Sequence, residues 1–274
     1  MLSKRQPFLL QTLGPLAVLG VAGTLFFDHF FIRLNAFRLR KNPQPTATLK
    51  IVQISDLHLQ SVHFGLRQLC EKINRLRPDL LVLTGDSLDK AANIGYLAEL
   101  LDLLEAAVPK VAILGNWEYK RRVDLEHLRQ VYAQHNCQLL INQTTALVLQ
   151  NKRVAVSGTD DLLEGTPNYT KTLADYQPAD YHLLLTHCPQ YYDVILVKYK
   201  GTPPIDLVLA GHTHGGQITF FGFAPLLPFG TGRYVDGWYS EHQPPLYVSR
   251  GIGNSTLPIR LGPRAEATVF VVDL

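Results

Sequence analysis

Three short apolar runs constrain the fold of this chain most. Each ends in a residue that can bind a metal: Asp56 follows "LKIVQIS", Asp86 follows "DLLVLTG" and Asn116 follows "KVAILG". Thirty positions separate each of these residues from the next, and helix-spaced apolar residues fill the intervals, as in strand–helix–strand units. The pattern predicts parallel strands whose carboxyl ends bring the three polar side chains to one edge of a sheet.

The second half of the chain is richer in strands. Apolar runs recur in "RVAVSG", "YHLLLTH", "DLVLAGH", "QITFF", "PLYVSRG" and "ATVFVVDL". Two of them end in histidine, at His187 and at His212, and His214 follows two positions later. We predict one α/β domain of two packed sheets with helices outside.

The polar residues at these strand ends form a set of two Asp, one Asn and four His, without a thiolate. The candidates are Asp56, His58, Asp86, Asn116, His187, His212 and His214. Oxygen and imidazole donors suit Mn, Fe or Zn. Seven ligands exceed one tetrahedral site and fit two cations that share a bridging carboxylate. Such a pair clamps the attacking and leaving oxygens in phosphoryl transfer.

The motifs D-x-H, G-D-x-x-D, G-N, T-H-x-P and G-H-T-H, in this order, resemble those of the calcineurin-like metallophosphoesterases over residues 49–274. The resemblance implies a four-layer α/β/β/α sandwich that hydrolyses phosphoric esters or pyrophosphates with two divalent metal ions, Mn being favoured. It implies one metal at Asp56, His58 and His214, a second at Asn116, His187 and His212, and a bridging Asp86. Catalytic roles would fall to Asn116, His187, Asp89 and Glu118.

One position departs from that family. Most members have G-N-H-D or G-N-H-E, whose His protonates the leaving oxygen, whereas Trp117 stands here between Asn116 and Glu118. An indole cannot transfer a proton near neutral pH. We expect Glu118 to support the metal ligands, Trp117 to contact substrate, and the substrate to carry a good leaving group.

The stretch from "GHTHGGQ" to "LYVSRGIGNSTLPIR" is similar to a membrane-associated, YaeI/YkuE-like branch that includes chlamydial-type UDP-2,3-diacylglucosamine hydrolases of lipid A biosynthesis. This likeness implies a lipid-linked phosphate substrate. Gln217, Arg250 and Arg260 are candidate substrate contacts, although either arginine also fits a structural ion pair. "FFGFAPLLPFG" is either a lipid-facing lip or buried core. Another envelope or nucleotide phosphoester is the alternative substrate, and a non-catalytic scaffold the remote alternative.

Residues 8–27 carry no charge and are long enough to span a hydrocarbon core of ~30 Å as a helix. The aromatic and basic residues that follow suit a membrane interface. We interpret residues 1–40 as an anchor with an interfacial segment, 41–48 as a linker and 49–274 as the phosphoesterase domain. The flanking charges predict an inner or plasma membrane protein with a cytoplasmic catalytic domain. A cleaved signal peptide and a buried core helix remain alternatives.

Charge is unevenly distributed along the chain. The net charge of +3 divides into +6 for the first 50 residues and −3 for the remaining 224. A mildly acidic body repels nucleic-acid phosphates and excludes long nucleic acids as partners. We predict no obligate protein partner.

Overall fold

The computed structural model describes residues 31–201, 203–219, 223–255 and 260–274. In this part of the chain, twelve strands form two six-stranded sheets. The strands are β1 (Arg33–Arg40), β2 (Thr48–Ile54), β3 (Leu80–Thr84), β4 (Lys110–Ile113), β5 (Cys137–Leu140), β6 (Gln143–Leu149), β7 (Lys152–Gly158), β8 (Tyr181–Leu185), β9 (Leu207–Ala210), β10 (Gly237–Tyr239), β11 (Leu246–Val248) and β12 (Glu266–Asp273). The helices are α1 (Phe64–Leu76), α2 (Ile94–Asp102), α3 (Asn116–Lys120), α4 (Leu125–Gln134), α5 (Tyr169–Thr172) and α6 (Tyr191–Lys198).

The two sheets have related topologies. The first has the order β1-β12-β2-β3-β4-β5, and the second has the order β10-β11-β9-β8-β7-β6. Strands β2 to β5 run parallel in the first sheet, and β7, β8, β9 and β11 run parallel in the second. The loops after parallel neighbours therefore leave each sheet at a common edge, which is where open α/β folds bind ligands.

Three apolar layers hold the sheets and helices together. Residues such as Ile51, Val82 and Leu183 pack between the two sheets. The outer face of the first sheet packs against α1, α2 and α4, and the outer face of the second packs against α6. Strands buried on both faces explain the continuous apolar runs in the sequence. The predicted α/β sandwich is the architecture observed.

The N-terminal membrane segment included in the fold prediction is corrected. Among the helices of the described residues, none has the length and apolar character needed to cross a membrane. The longest, α1, has 13 residues and spans about 20 Å, less than a hydrocarbon core of ~30 Å. The apolar run at residues 8–27 lies outside the described residues. The fold shown by the described residues is the α/β sandwich.

Part of the predicted interfacial segment belongs to the sandwich. Strand β1 pairs in parallel with β12 along its whole length. Phe37 of β1 stacks among Trp238, Tyr247 and Phe270, with ring centroids 5.3–6.2 Å away. The aromatic side chain therefore faces protein rather than lipid. Because β1 and β2 flank β12 in one sheet, residues 41–48 connect two strands of the same body.

Candidate metal centre

The backbone at the strand ends is unusual. Five of the seven predicted ligands adopt a left-handed conformation, with φ of 50° at Asp56, 41° at His58, 53° at Asp86, 74° at His212 and 52° at His214. Side chains other than glycine rarely adopt this conformation, which costs free energy and concentrates at functional sites. Inter-loop hydrogen bonds hold it here, for example from His58 N to the Asp86 carbonyl at 2.9 Å.

One group of buried donor atoms comes from the loops after β2 and β9. The Nε2 atoms of His58 and His214 lie 3.1 Å apart, and His214 Nε2 lies 3.8 Å from Asp56 Oδ1. All three side chains are buried. They form one of the described groups of converging residues that could hold a metal ion.

A second group comes from the loops after β4, β8 and β9. His187 Nε2 lies 3.3 Å from Asn116 Oδ1 and 3.2 Å from His212 Nδ1. These three side chains are also buried. The structure thus brings together the residues that the family resemblance assigned to the second metal.

Asp86 lies between the two groups. Its Oδ2 atom is 3.5 Å from His58 Nε2 and 3.4 Å from His187 Nε2. Donor atoms separated by 3–4 Å fit around a cation whose bonds are about 2.0–2.2 Å long. The buried, thiolate-free donor set therefore fits two divalent cations that share the Asp86 carboxylate.

Backbone carbonyls orient three of the imidazoles. His187 Nδ1 lies 2.8 Å from the Thr84 carbonyl, and His214 Nδ1 lies 3.1 Å from the Gly253 carbonyl. His212 uses its other nitrogen, Nε2, at 2.6 Å from the Phe229 carbonyl. An imidazole that donates one N–H outward presents the lone pair of its second nitrogen to the site, as metal-ligating histidines do.

Burial sets the charge of these groups. It lowers the pKa of His58 and of His212 to about 4, so both imidazoles are neutral ligands at pH 7. Burial also disfavours protonation of His187, but the charge of Asp86 overrides it and raises the His187 pKa well above its ordinary value. Burial raises the pKa of Asp56 to about 6. The metal-free site therefore carries a proton on His187 at pH 7.

Metal binding is expected to release about one proton per chain at pH 7, because His187 can ligate only when neutral. As pH falls below about 6, Asp56 also takes up a proton. Mn²⁺ affinity should then fall more steeply than the tenfold per pH unit expected for one displaced proton. Calorimetry in buffers of different ionisation enthalpy measures the release. An enthalpy of binding that is the same in all buffers would contradict it.

Glu118 ties the two ligand loops together. Its carboxylate accepts hydrogen bonds from the backbone N–H groups of Gly115 at 2.9 Å, Asp86 at 3.2 Å, Ser87 at 2.7 Å and Leu88 at 3.3 Å. Burial, reinforced by the charge of Asp86, raises its pKa to about 7, and the N–H donors oppose that rise. Glu118 thus supports the ligands rather than joining the converging donors.

Two other predicted site residues, Asp89 and Gln217, are not among the converging donor groups of the described residues. Asp89 is buried but belongs to none of the converging donor groups found among the described residues, so a catalytic role stays a prediction. Gln217 is half-buried, and its Oε1 accepts a hydrogen bond from Ser255 Oγ at 2.8 Å.

The two candidate arginines, Arg250 and Arg260, contact protein groups. Arg250 pairs with Asp236 at 2.5 Å and lies 3.8 Å from Glu266. Arg260 is buried; it donates to the Arg250 carbonyl at 2.8 Å, and its Nη2 lies 3.0 Å from His214 Nδ1. The Arg260 guanidinium contacts a candidate metal ligand, and its role as a substrate contact stays a prediction. Arg250 is engaged in the ion pair that the sequence left as its alternative.

Sequence reasoning missed Cys188 and Asp161. Cys188 converges with His187 and His212, and its thiol donates to Asp161 Oδ1 at 3.3 Å. Burial and the charge of Asp161 raise the Cys188 pKa well above its ordinary value, so it remains a thiol and not a thiolate ligand. Asp161 follows β7, and the strand-end rule that found the other residues would have found it.

Comparison with known proteins agrees with this geometry. The calcineurin-like phosphoesterase family matches residues 49–216. The metallophosphoesterase YkoQ of Bacillus subtilis is 32% identical, covering 80% of this chain and 82% of YkoQ. The phosphodiesterase YaeI of Escherichia coli is 28% identical, covering 98% of this chain and 99% of YaeI.

Among solved structures, a 5'-nucleotidase from Candida albicans matches with a TM-score of 0.50 and 11% identity. The match covers 80% of this chain and 46% of the nucleotidase, and it supports the fold alone. The family match, the relatives and the two converging donor groups agree: this chain belongs to the calcineurin-like phosphoesterase family and is a metal-dependent phosphoester hydrolase.

Proposed function

We propose that this enzyme cleaves the pyrophosphate bond of UDP-2,3-diacylglucosamine to UMP and a lipid 1-phosphate, a step of lipid A biosynthesis. The observation that carries the proposal is an exposed apolar surface joined to the metal centre. Phe223, Leu226 and Phe229 are 70%, 76% and 90% exposed. The Phe229 carbonyl accepts from His212 Nε2 at 2.6 Å. An acyl chain on this surface would lie next to the reacting phosphate.

A groove beside His214 offers room for part of such a substrate. Its volume is about 440 Å³, and its wall includes Gly215, Phe223, Leu227 and the ion-paired Arg250. The wall combines these apolar side chains with Thr219 and the ion pair between Asp236 and Arg250, and a mixed lining of this kind suits an amphiphilic ligand. The lining supports an acylated sugar over a small, fully charged metabolite.

We propose Mn²⁺ as the resident cation. When bound, two divalent cations polarise the phosphoryl oxygens and lower the pKa of water. The chain's own part is to hold Asp56 and Asp86 as buried negative charges, to keep His58 and His212 neutral, and to orient the imidazoles. In the net reaction, the oxygen of water bonds to phosphorus, and the bond from phosphorus to the leaving oxygen breaks.

The leaving group must depart without a side-chain acid at position 117. The Trp117 indole and the His58 imidazole form a T-shaped contact, with ring centroids 4.7 Å apart and planes at 80°. Indole has no transferable proton near neutral pH. A phosphate leaving group needs less protonation than an alkoxide. This favours pyrophosphate over simple alkyl phosphodiesters.

Trp117→His is expected to raise turnover of an alkyl phosphodiester by about 10- to 100-fold, because general acid catalysis contributes about 10²–10⁴-fold where it operates. Trp117→Phe is the matched control, since it removes the indole without supplying an acid. Steady-state kinetics with dimethyl phosphate and with an activated aryl diester measure the effect. Brisk wild-type hydrolysis of the alkyl diester would contradict this interpretation of Trp117.

The substrate is tested by incubating Mn-loaded enzyme with UDP-2,3-diacylglucosamine in mixed micelles and measuring UMP. We expect kcat/KM at least about tenfold above that for UDP-N-acetylglucosamine, as one well-placed acyl chain provides. Phe223→Ser combined with Phe229→Ser should reduce that preference, with Val148→Ser, at an exposed site of the second sheet, as control. Equal rates for both substrates would instead favour a different envelope or nucleotide phosphoester.

We also propose that the substrate is met at the cytoplasmic face of the inner or plasma membrane, without nucleic acid or an obligate protein partner. The exposed apolar side chains next to the metal centre support this location. Sedimentation with phospholipid vesicles tests it. Wild type should cosediment more than the doubly substituted variant, and equal sedimentation of both would contradict it.

A further inference from the structure

Trp117 is fixed at the mouth of the metal centre from two sides. Its backbone N–H donates to Asp86 Oδ1 at 2.8 Å, and its ring makes a T-shaped contact with His58. The side chain is only half-buried, so part of the indole faces outward. A side chain that contacts this outward part lies close to the metal centre, because Trp117 directly follows the candidate ligand Asn116.

Arg121 is the residue held there. Its guanidinium carbon lies 4.2 Å from the centre of the Trp117 ring, and its backbone N–H donates to the Trp117 carbonyl at 2.8 Å. Arg121 is exposed. Within the described part of the chain, its guanidinium makes no hydrogen bond or ion pair in addition to this ring contact. By contrast, the neighbouring Lys120 lies 3.7 Å from Glu164.

A guanidinium stacked on an aromatic ring is oriented at little entropic cost, and its in-plane N–H groups stay available as donors. Those donors match two oxygens of a phosphate. The ring contact alone contributes little to folding at an exposed site, so the pair is better explained by a ligand.

We propose that Arg121, oriented by Trp117, binds a second anionic group of the substrate, the phosphate adjacent to the one at the metal centre. The ligand class is a nucleoside diphosphate or a similar pyrophosphate ester. This deepens the proposed function and rests on it. Trp117 is then a positioning residue: it stands where most family members have an acidic His, and it orients the Arg121 guanidinium. The enzyme would thereby select substrates that carry a second phosphate.

The test compares binding of two probes by calorimetry with Mn-loaded protein. Uridine 5′-(α,β-methylene)diphosphate resists cleavage and carries the second phosphorus, and UMP lacks it. We expect wild type to prefer the diphosphonate and Arg121→Gln to lose about tenfold of that preference, as for one charge-assisted hydrogen-bond pair. Arg122→Gln removes the same charge from the next, also exposed, residue and should keep the wild-type preference.

If the Arg121→Gln and Arg122→Gln proteins prefer the methylene diphosphate over UMP by the same factor, the inference is overturned. Arg121→Lys keeps the charge but not the planar stack, and it should also lose most of the preference; a wild-type ratio in this variant would overturn the role of the indole. UMP release from UDP-2,3-diacylglucosamine, measured on the same wild-type preparation, reports separately on the proposed function. Its failure alongside a positive Arg121 result would point to a different pyrophosphate ester.

Discussion

Asp86→Asn is expected to reduce Mn-dependent hydrolysis of bis(p-nitrophenyl) phosphate by at least about 10³-fold, because both metal sites lose their shared anionic ligand. Asp86 Oδ2 lies 3.5 Å from His58 Nε2 and 3.4 Å from His187 Nε2. The amide has nearly the shape of the carboxylate and can still accept the hydrogen bond from Trp117 N. The loss therefore reports on charge rather than on packing.

The control for this variant is Asp175→Asn, which makes the same chemical change at an exposed position. Wild-type activity is expected there. Thermal unfolding without metal shows whether the Asp86 variant is folded. A folded Asp86→Asn protein that retains activity within tenfold of wild type would contradict the bridging role.

Glu118→Ala is expected to lower the free energy of unfolding by about 3–5 kcal/mol, because it leaves buried N–H groups without partners, and each such group costs about 1–3 kcal/mol. The carboxylate accepts from four backbone N–H groups, two on each oxygen. Glu118→Gln should cost about half as much, since its carbonyl still serves two donors and its amide N–H₂ faces the other two.

Denaturant unfolding at pH 8 in the presence of a chelator measures this loss, because the buffer is above the raised Glu118 pKa of about 7 and no metal contributes. Glu105→Ala, at an exposed position, is the matched control and should be near neutral. An alanine variant within 1 kcal/mol of wild type would mean that water replaces the carboxylate.

The candidate ligands were predictable from sequence because they follow apolar strands directly. In each case the first ligand directly follows the end of a buried strand, so the sequence alone places Asp56, Asp86 and Asn116 at one edge of a parallel sheet. The left-handed conformation of Asp56 and Asp86 could not be predicted, because no local residue preference demands it.

The contacts that the sequence did not reveal join residues distant along the chain. Strand β1 has three arginines and one aromatic residue, Phe37, a mixture that also suits a membrane interface. Its pairing with β12, more than 200 residues later, places Phe37 in the protein. Arg260 likewise meets His214 across 46 positions. A lone arginine in a loop gives no sign of whether its partner is a substrate or a metal ligand.

The contact between Arg121 and Trp117 is only partly predictable from the sequence. Its spacing of four residues from Trp117 is that of neighbours on a helix face and is readable from sequence. Only the structure shows the ring contact and the lack of a carboxylate partner for Arg121 among the described residues.

The number of Mn²⁺ ions bound per chain tests the two-metal centre directly. Elemental analysis after equilibrium dialysis should give two ions for wild type, because Asp56, His58 and His214 converge on one side of Asp86 and Asn116, His187 and His212 on the other. Asp86→Asn should give fewer than two at the same free Mn²⁺. One ion or none in wild type at saturation would contradict a two-metal centre.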